Sequence, residues 1–146
     1  MSYTYLKYHA VFATKERRPF ISPQLLPRLC EYLGGMVCRQ GGRPIEFNGP
    51  PDHLHLVLSL GPAAAIADFL RDLKSISSGW VHKTFPELGD FAWQDGYSIF
   101  TVSPSVLAGV VAYVRDQQEH HAKVSFKDEL AWLLKNHGIP FDEKFL

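Results

Sequence analysis

"PDHLHLVLSL", residues 51–60, is the strongest indicator of how this chain folds. A β-strand turns alternate side chains to opposite faces, so the four leucines share one face while His53 and His55 share the other. The leucine face predicts a buried core. The two imidazoles lie about 7 Å apart along such a strand, which indicates either part of a metal site or a coincidence. The rest of the chain has to separate these two interpretations.

The segments around this strand alternate in an order typical of one fold. Strands are predicted at 3–14, 43–49, 53–60 and 91–103, and helices at 22–42 and 64–84. The order strand, helix, strand, strand, helix, strand is typical of the ferredoxin-like, or split βαβ, arrangement. We therefore predict an α+β fold in which residues 1–103 of a single domain, 1–146, form a four-stranded antiparallel sheet with both helices on one face. The leucines pack beneath those helices, and the histidines look out from the open face.

Two further helices are predicted after this core. Residues 104–121 form the first, and residues 125–146 form a last helix and tail, with Ser125 as its N-cap. Tyr113 and Gln117 are four residues apart, so they lie side by side on the first of these helices. If that helix crosses the open face of the sheet, a phenol, a carboxamide oxygen and two imidazoles meet in one polar centre.

The charge of the chain does not indicate a nucleic-acid-binding protein. Its 15 basic and 15 acidic residues cancel, whereas the electrostatic footprint of such proteins is usually basic. A local patch can still attract phosphates, because the field depends on where the charges lie. Candidate DNA contacts follow the first strand or lie along the polar side of the second helix: Lys15, Arg17, Arg18, Arg71, Lys74, Ser75 and Ser78.

The sequence predicts a reduced, cytoplasmic location without a membrane partner. No apolar run has the length that spans a bilayer, and the first residues lack the pattern of a signal peptide. The only two cysteines, Cys30 and Cys38, fall in one predicted helix, which does not indicate a disulfide scaffold.

The polar centre has a definite chemistry. Tyr113 could act as a nucleophile, although a phenol with a pKa near 10 needs activation. A divalent ion held by His53, His55 and the Gln117 carbonyl could bind the oxygens of a scissile phosphate and offset the developing charge. A phosphotyrosine intermediate conserves the energy of the phosphodiester bond, so a second hydroxyl can reverse the step. This chemistry suits breaking and rejoining DNA.

Four stretches together resemble a known family. They are "YHAVFATKERRPFIS" (8–22), "PDHLHLVLSL" (51–60), "WQDGYSIFTVSPS" (93–105) and "YVRDQQEHH" (113–121). In content and order they are similar to the single-tyrosine, His-hydrophobic-His transposases of bacterial insertion sequences, including the relatives associated with repetitive extragenic palindromes (REPs). The similarity runs from about Tyr8 to Phe145. A lone His-x-His is a weak signal, whereas its combination with Tyr-x-x-x-Gln about 60 residues later and matching flanks is specific.

The resemblance implies roles for individual residues and for partners. It makes Tyr113 the nucleophile that forms a 5′-phosphotyrosine, His53 and His55 metal ligands, Gln117 the third ligand, and magnesium or manganese the ion. It implies single-stranded DNA with imperfect hairpins as substrate, and homodimers in which the tyrosine helix can be exchanged between subunits. Three further histidines are candidate neighbours of the site: His9, His120 and His121.

Two other functions compete with DNA strand transfer. One is a domesticated or REP-associated relative that binds and processes palindromic hairpins, in the extreme case without catalysis. The other is a histidine-dependent nucleotide hydrolase, which often has a third alternating histidine. Val57 occupies that third position here, which counts against a hydrolase.

Overall fold

The computed structural model describes residues 1–146 as one four-stranded sheet with five α-helices. The strands are β1 (Lys7–Ala13), β2 (Arg43–Asn48), β3 (His53–Ser59) and β4 (Ser98–Thr101). The helices are α1 (Leu25–Arg39), α2 (Ile66–Thr84), α3 (Leu107–Arg115), α4 (Gln117–His121) and α5 (Phe126–Asn136), with short 3-10 turns at Lys15–Arg17, Pro86–Leu88 and Glu143–Phe145. None of these helices combines the length and the apolar character needed to cross a membrane.

The sheet has the topology predicted from the sequence. Its strands are antiparallel and follow the order β2-β3-β1-β4, which is the ferredoxin-like order. The predicted fold class is therefore confirmed. The His-Leu-His strand, β3, lies between β1 and β2, and His55 stands opposite Val11 on one side and Asn48 on the other.

The leucine face of β3 holds the main core. Leu54, Leu56 and Leu58 are fully buried beneath α1 and α2. The two helices meet these leucines with apolar stripes at helical spacing: Leu25, Leu29, Leu33 and Val37 from α1, and Phe69, Leu70, Leu73 and Val81 from α2. Both cysteines lie on α1 as free thiols.

The second face of the sheet is covered, so the expectation of an open face is wrong. Helix α5 lays Phe126, Leu133 and Leu134 against Val11 and Phe100 in a separate small apolar cluster. This face carries apolar residues beside its histidines. Packing an amphipathic helix against it removes apolar surface from water, which is energetically favourable. The histidines of β3 consequently lie inside the protein, with no exposed surface.

The predicted helix 104–121 is shorter and interrupted. It begins at Leu107, and Asp116 has non-helical dihedral angles (φ −94°, ψ 19°) that separate α3 from α4. The side chain of Asn48 donates hydrogen bonds to the carbonyls of Val114 and Arg115 at this point. The interruption therefore coincides with an external donor that binds the last carbonyls of α3.

The two outer limits of the sheet also differ from expectation. Strand β1 begins later than predicted, at Lys7, and β4 is confined to Ser98–Thr101. Gly96 takes a positive φ of 86°, which ends the extended backbone before β4. Further upstream, only an isolated bridge between Trp93 and Thr14 continues the pairing.

Candidate metal centre and tyrosine site

His53 and His55 are held by their Nδ1 atoms, so that their Nε2 atoms point away from the sheet. The Nδ1 of His53 lies 2.8 Å from the Asp52 carboxylate, and the Nδ1 of His55 lies 2.7 Å from the Nε2 of His9. A partner on one ring nitrogen fixes the orientation of an imidazole and leaves the other nitrogen to bind. His9, a predicted neighbour, is thus placed directly behind His55.

A third imidazole joins the pair from α4. The Nδ1 of His121 donates to the carbonyl of Val124 at 2.7 Å, and its Nε2 lies 3.1 Å from the Nε2 of His53. This is the same arrangement as for the two strand histidines. Three Nε2 atoms consequently converge on one point between β3 and the C-terminal helices.

The carboxylate of Glu129 occupies the centre of this cluster. Its Oε1 lies 3.1 Å from the Nε2 of His53 and 2.9 Å from the Nε2 atoms of both His55 and His121. Glu129 was not predicted as a site residue from the sequence. A signal was present, because Glu129 interrupts the apolar stripe that Phe126 and Leu133 form on α5, and a buried acid on such a stripe needs partners.

Tyr113 and Gln117 meet the other oxygen of the same carboxylate. The Tyr113 hydroxyl donates to the Oε2 of Glu129, and the Gln117 side-chain amide donates to it at 3.1 Å. The Nε2 of His120 lies 3.4 Å from the Tyr113 hydroxyl. The structure therefore brings together the predicted nucleophile, the predicted ligands and all three predicted neighbours.

Burial and hydrogen bonding together determine the charges in the cluster. It lowers the pKa of His9 to about 3 and the pKa of His55 to about 4, so both are neutral near pH 7. Burial acts in the same direction on His53, but its hydrogen bonds to Asp52 and Glu129 outweigh that effect and raise its pKa. Burial opposes the charge on Glu129 too, yet the hydrogen bonds from the histidines prevail and hold its pKa well below the usual range.

The same surroundings keep Tyr113 protonated. Burial raises the pKa of its phenol, and the adjacent Glu129 carboxylate raises it further. A phenol is a much weaker nucleophile than a phenolate. In this arrangement Tyr113 is positioned but not activated, and a nearby positive charge is needed to favour the phenolate.

The donor atoms fit a divalent ion. The ligand atoms of His53, His55, His121 and Glu129 all lie within 4.8 Å of one another. Adjacent ligands of an octahedral ion bound at about 2.0–2.1 Å stand about 3 Å apart, and the Nε2 atoms lie 2.9–3.1 Å from the Oε1 of Glu129. The Oε1 of Gln117 is buried without a hydrogen-bond partner, so a further oxygen donor is free. Imidazoles suit transition metals, whereas carboxylate and amide oxygens also suit magnesium.

The predicted DNA contacts are not part of this cluster, although Arg17 lies next to it through Phe126, and several are engaged. Arg18 pairs with Asp90 at 2.8 Å, and Arg17 lies over the Phe126 ring. Arg71 pairs with two aspartates of its own helix. Four of the candidates line one groove beside residues 92–97: Arg71, Lys74, Ser75 and Ser78. The Lys74 ammonium already donates to the carbonyls of Gln94 and Gly96, and Lys15 is exposed.

A histidine pair on an inner strand of a ferredoxin-like sheet thus faces a tyrosine from a following helix. Comparison with known proteins gives the family. The family model described as "Transposase IS200 like" matches residues 2–117. The chain therefore belongs to the IS200-like transposases. The match ends at Gln117, so His121 and Glu129 lie beyond it.

Individual relatives agree with this assignment. The chain is 31% identical over 119 residues to the ISDra2 transposase TnpA of Deinococcus radiodurans, a match that covers 78% of this chain and 85% of the relative. It is 29% identical over 126 residues to the transposase for insertion sequence element IS200 of Salmonella typhimurium, with 77% of each chain covered.

Solved structures show the same fold. A crystal structure of a transposase from Deinococcus radiodurans superposes with a TM-score of 0.65 at 28% identity, covering 80% of this chain and 95% of that one. A REP-associated tyrosine transposase bound to a REP hairpin superposes with a TM-score of 0.60, covering 85% of this chain and 75% of that one. The identity of 13% in the second case makes it a comparison of fold alone.

Proposed function

We propose that this transposase cleaves and rejoins single-stranded DNA at hairpin-flanked ends through a 5′-phosphotyrosine on Tyr113. The observation that supports it most is the contact of the Tyr113 hydroxyl with the carboxylate that also touches His53 and His55. Nucleophile and candidate ligands are thus assembled within one chain. Membership of the IS200-like family supplies the class of reaction, DNA transposition.

The step exchanges one phosphoester bond for another. The Tyr113 oxygen loses its proton and forms a bond to the phosphorus, while the bond from phosphorus to the 3′-oxygen breaks. The leaving 3′-oxygen takes up a proton and becomes a free hydroxyl. A different 3′-hydroxyl then attacks the phosphotyrosine in the reverse sense, which regenerates Tyr113 and joins new ends.

We assign the metal to the buried donors on β3 and the C-terminal helices. His53, His55 and Gln117 would hold a magnesium or manganese ion, and His121 and Glu129 would add an imidazole and a carboxylate. When bound, the ion offsets the negative charge that develops on the scissile phosphate and favours the phenolate of Tyr113. The chain itself contributes the fixed orientation of its imidazoles, through Asp52, His9 and the Val124 carbonyl.

The proposed partners are hairpin DNA and a second subunit. Hairpin DNA is suggested by the solved relative that is described as bound to a REP hairpin. The basic residues at the second helix, with Lys15, Arg17 and Arg18, are proposed to contact its phosphates. A homodimer of this chain is proposed. We propose that the protein works in the cytoplasm.

A covalent-adduct assay tests this function. Labelled single-stranded hairpin DNA from the genomic flanks of the gene is incubated with protein and Mn²⁺, and the products are separated on a denaturing gel. We expect a protein–DNA adduct that disappears in EDTA and in Tyr113→Phe. Tyr3→Phe is the matched control. Tyr3 is exposed and close to the start of the chain, so this variant should form the adduct as the wild type does.

The same assay separates cleavage from binding alone. If wild-type protein binds the hairpin tightly and forms no adduct, the chain is a hairpin-binding relative without catalysis. An adduct that persists in Tyr113→Phe contradicts the assignment of the nucleophile. Hydrolysis of small nucleotides that does not require Tyr113 indicates the hydrolase instead.

A further inference from the structure

Asn48, the last residue of β2, joins the tyrosine helix to the strand of candidate ligands. It pairs with His55 in the antiparallel register, so the two side chains emerge on the same face of the sheet. Its Nδ2 donates to the carbonyls of Val114 at 3.0 Å and Arg115 at 2.9 Å. These are the two residues that follow Tyr113 in the chain. One half-buried carboxamide therefore holds the last turn of α3 beside the histidine pair.

Gln118 completes the contact from the other side of the helix interruption. Its Oε1 accepts from the Nδ2 of Asn48 at 2.8 Å, and its Nε2 donates to the Oδ1 of Asn48 at 2.7 Å. The Gln118 amide also donates to the carbonyl of Gly49 at 3.1 Å. Both amides are thus satisfied by each other and by backbone, and they fix β2, α3 and α4 relative to one another.

The carbonyls that Asn48 binds lie at the end of α3, between Tyr113 and Gln117 in the sequence. The final carbonyls of a helix lack partners within the helix, and a side-chain donor that binds them determines where the helix ends and how it lies. Asp116, between α3 and α4, is non-helical. Tyr113 precedes this point and Gln117 follows it, so a displacement there moves the nucleophile and a candidate ligand together.

We propose that Asn48 is a positioning residue for the strand-transfer reaction. Its carboxamide, oriented by Gln118, docks the helix of Tyr113 on the histidines of the same chain. Asn48 acts through α3, because its hydrogen bonds go to the end of that helix. This inference rests on the proposed function for its effect on rate, while its effect on the helix can be measured independently.

Asn48→Asp tests the proposal with little change in side-chain size. The variant keeps an oxygen for the Gln118 amide, loses both N–H donors and sets a carboxylate against two carbonyls. We expect hydrogen–deuterium exchange of the α3 amides to rise at least about tenfold, with β3 and α1 unchanged. We expect the single-turnover rate of adduct formation at saturating hairpin DNA to fall at least about tenfold, because the nucleophile is misplaced. The dissociation constant for the hairpin should stay within about twofold, since the proposed DNA contacts lie elsewhere.

Two variants control the experiment. Glu46→Gln weakens the ion pair with Arg115 on the same surface and should leave exchange and rate as in the wild type. Asn48→Ala removes the donors without adding a charge, and it is expected to give the same pattern as Asn48→Asp. Wild-type exchange of α3 in both Asn48 variants overturns the proposal. Absence of an adduct from wild-type protein overturns the proposed function, and the exchange measurement then still decides whether Asn48 holds the helix.

Discussion

The two faces of the sheet differ in what they bury: the first holds the main apolar core, and the second holds the candidate site. On the first face, β1 and β3 pack beneath α1 and α2 in an apolar cluster of 19 buried residues. On the second face the apolar cluster has six buried residues, and the buried polar residues of the site gather beside it: His9, His53, His55, Gln117 and Glu129. Alternate residues of β3 serve these two environments. The difference indicates that the first face maintains the fold, which allows the second to bury polar groups.

Burying so many polar groups is tolerable only because they satisfy one another. An unpaired buried polar group costs about 1–3 kcal/mol, and a buried unpaired charge costs more. Here Glu129 carries the charge and receives hydrogen bonds from histidines, a tyrosine and an amide. The Oε1 of Gln117 is the single buried side-chain nitrogen or oxygen without a hydrogen-bond partner, and the amide nitrogen of the same side chain donates to Glu129.

The largest expected difference between the faces concerns packing. Leu56→Ala, at the centre of the main core, should lower the free energy of unfolding by about 2–5 kcal/mol, since it leaves a cavity in the larger cluster. Leu134→Ala, in the small cluster, should cost less because its surroundings are partly exposed. Urea denaturation in EDTA measures both. Equal losses would contradict the division between the two faces.

Metal binding should stabilise the protein through the second face alone. Mn²⁺ at about a hundred times its dissociation constant should raise the free energy of unfolding by about 2.7 kcal/mol. His55→Ala should remove this increase. His82→Ala, a matched histidine variant on α2 whose imidazole lies against the Phe91 carbonyl, should retain it. Thermal or urea unfolding with and without Mn²⁺ is the readout, and an unchanged increase in His55→Ala argues against a metal at this cluster.

The stability of the protein should also depend on pH, again through the second face. The pKa of His9 is lowered to about 3 and that of His55 to about 4, chiefly by burial. The unfolded chain therefore takes up protons below pH 6.5 that the folded chain does not bind. Stability should fall as pH decreases from 6 to 5, by about 1.4 kcal/mol per unit for each of the two histidines.

His9→Gln isolates one of these contributions. In EDTA, the dependence of unfolding free energy on pH between 5 and 6 should become less steep by about one proton. Urea denaturation at several pH values measures the slope. A variant with the wild-type slope shows that His9 is protonated in the folded protein, against the lowered pKa.

Most of the fold could be predicted from the periodicity of apolar residues and from the residues that end helices and strands. Alternation in β3 predicted which residues face the main core, and the order of segments predicted the topology. Ser125, predicted as an N-cap, accepts a hydrogen bond from the Asp128 amide at 3.2 Å. The predicted strand 91–103 was too long, because Gln94, Asp95 and Gly96 interrupt it; Gly96 takes a positive φ of 86°, and β4 begins only at Ser98.

The site was only partly predictable for a different reason. Spacing placed Tyr113 and Gln117 on one side of a helix, but it could not say which element covers the histidine face. That depends on long-range packing by α5, whose acid at Glu129 resembles an ordinary charge near the start of a helix. The interruption at Asp116 likewise coincides with hydrogen bonds from Asn48, a residue far away in the sequence.

The most direct test of the account is the position of a bound ion. Crystals grown with Mn²⁺, measured at a wavelength where manganese scatters anomalously, locate the metal without any assay of activity. We predict one anomalous peak at about 2.0–2.3 Å from the Nε2 atoms of His53 and His55, with Tyr113 adjacent. A histidine pair that still holds Glu129 by hydrogen bonds and shows no peak at saturating Mn²⁺ would contradict the claim that the second face of β3 binds a metal.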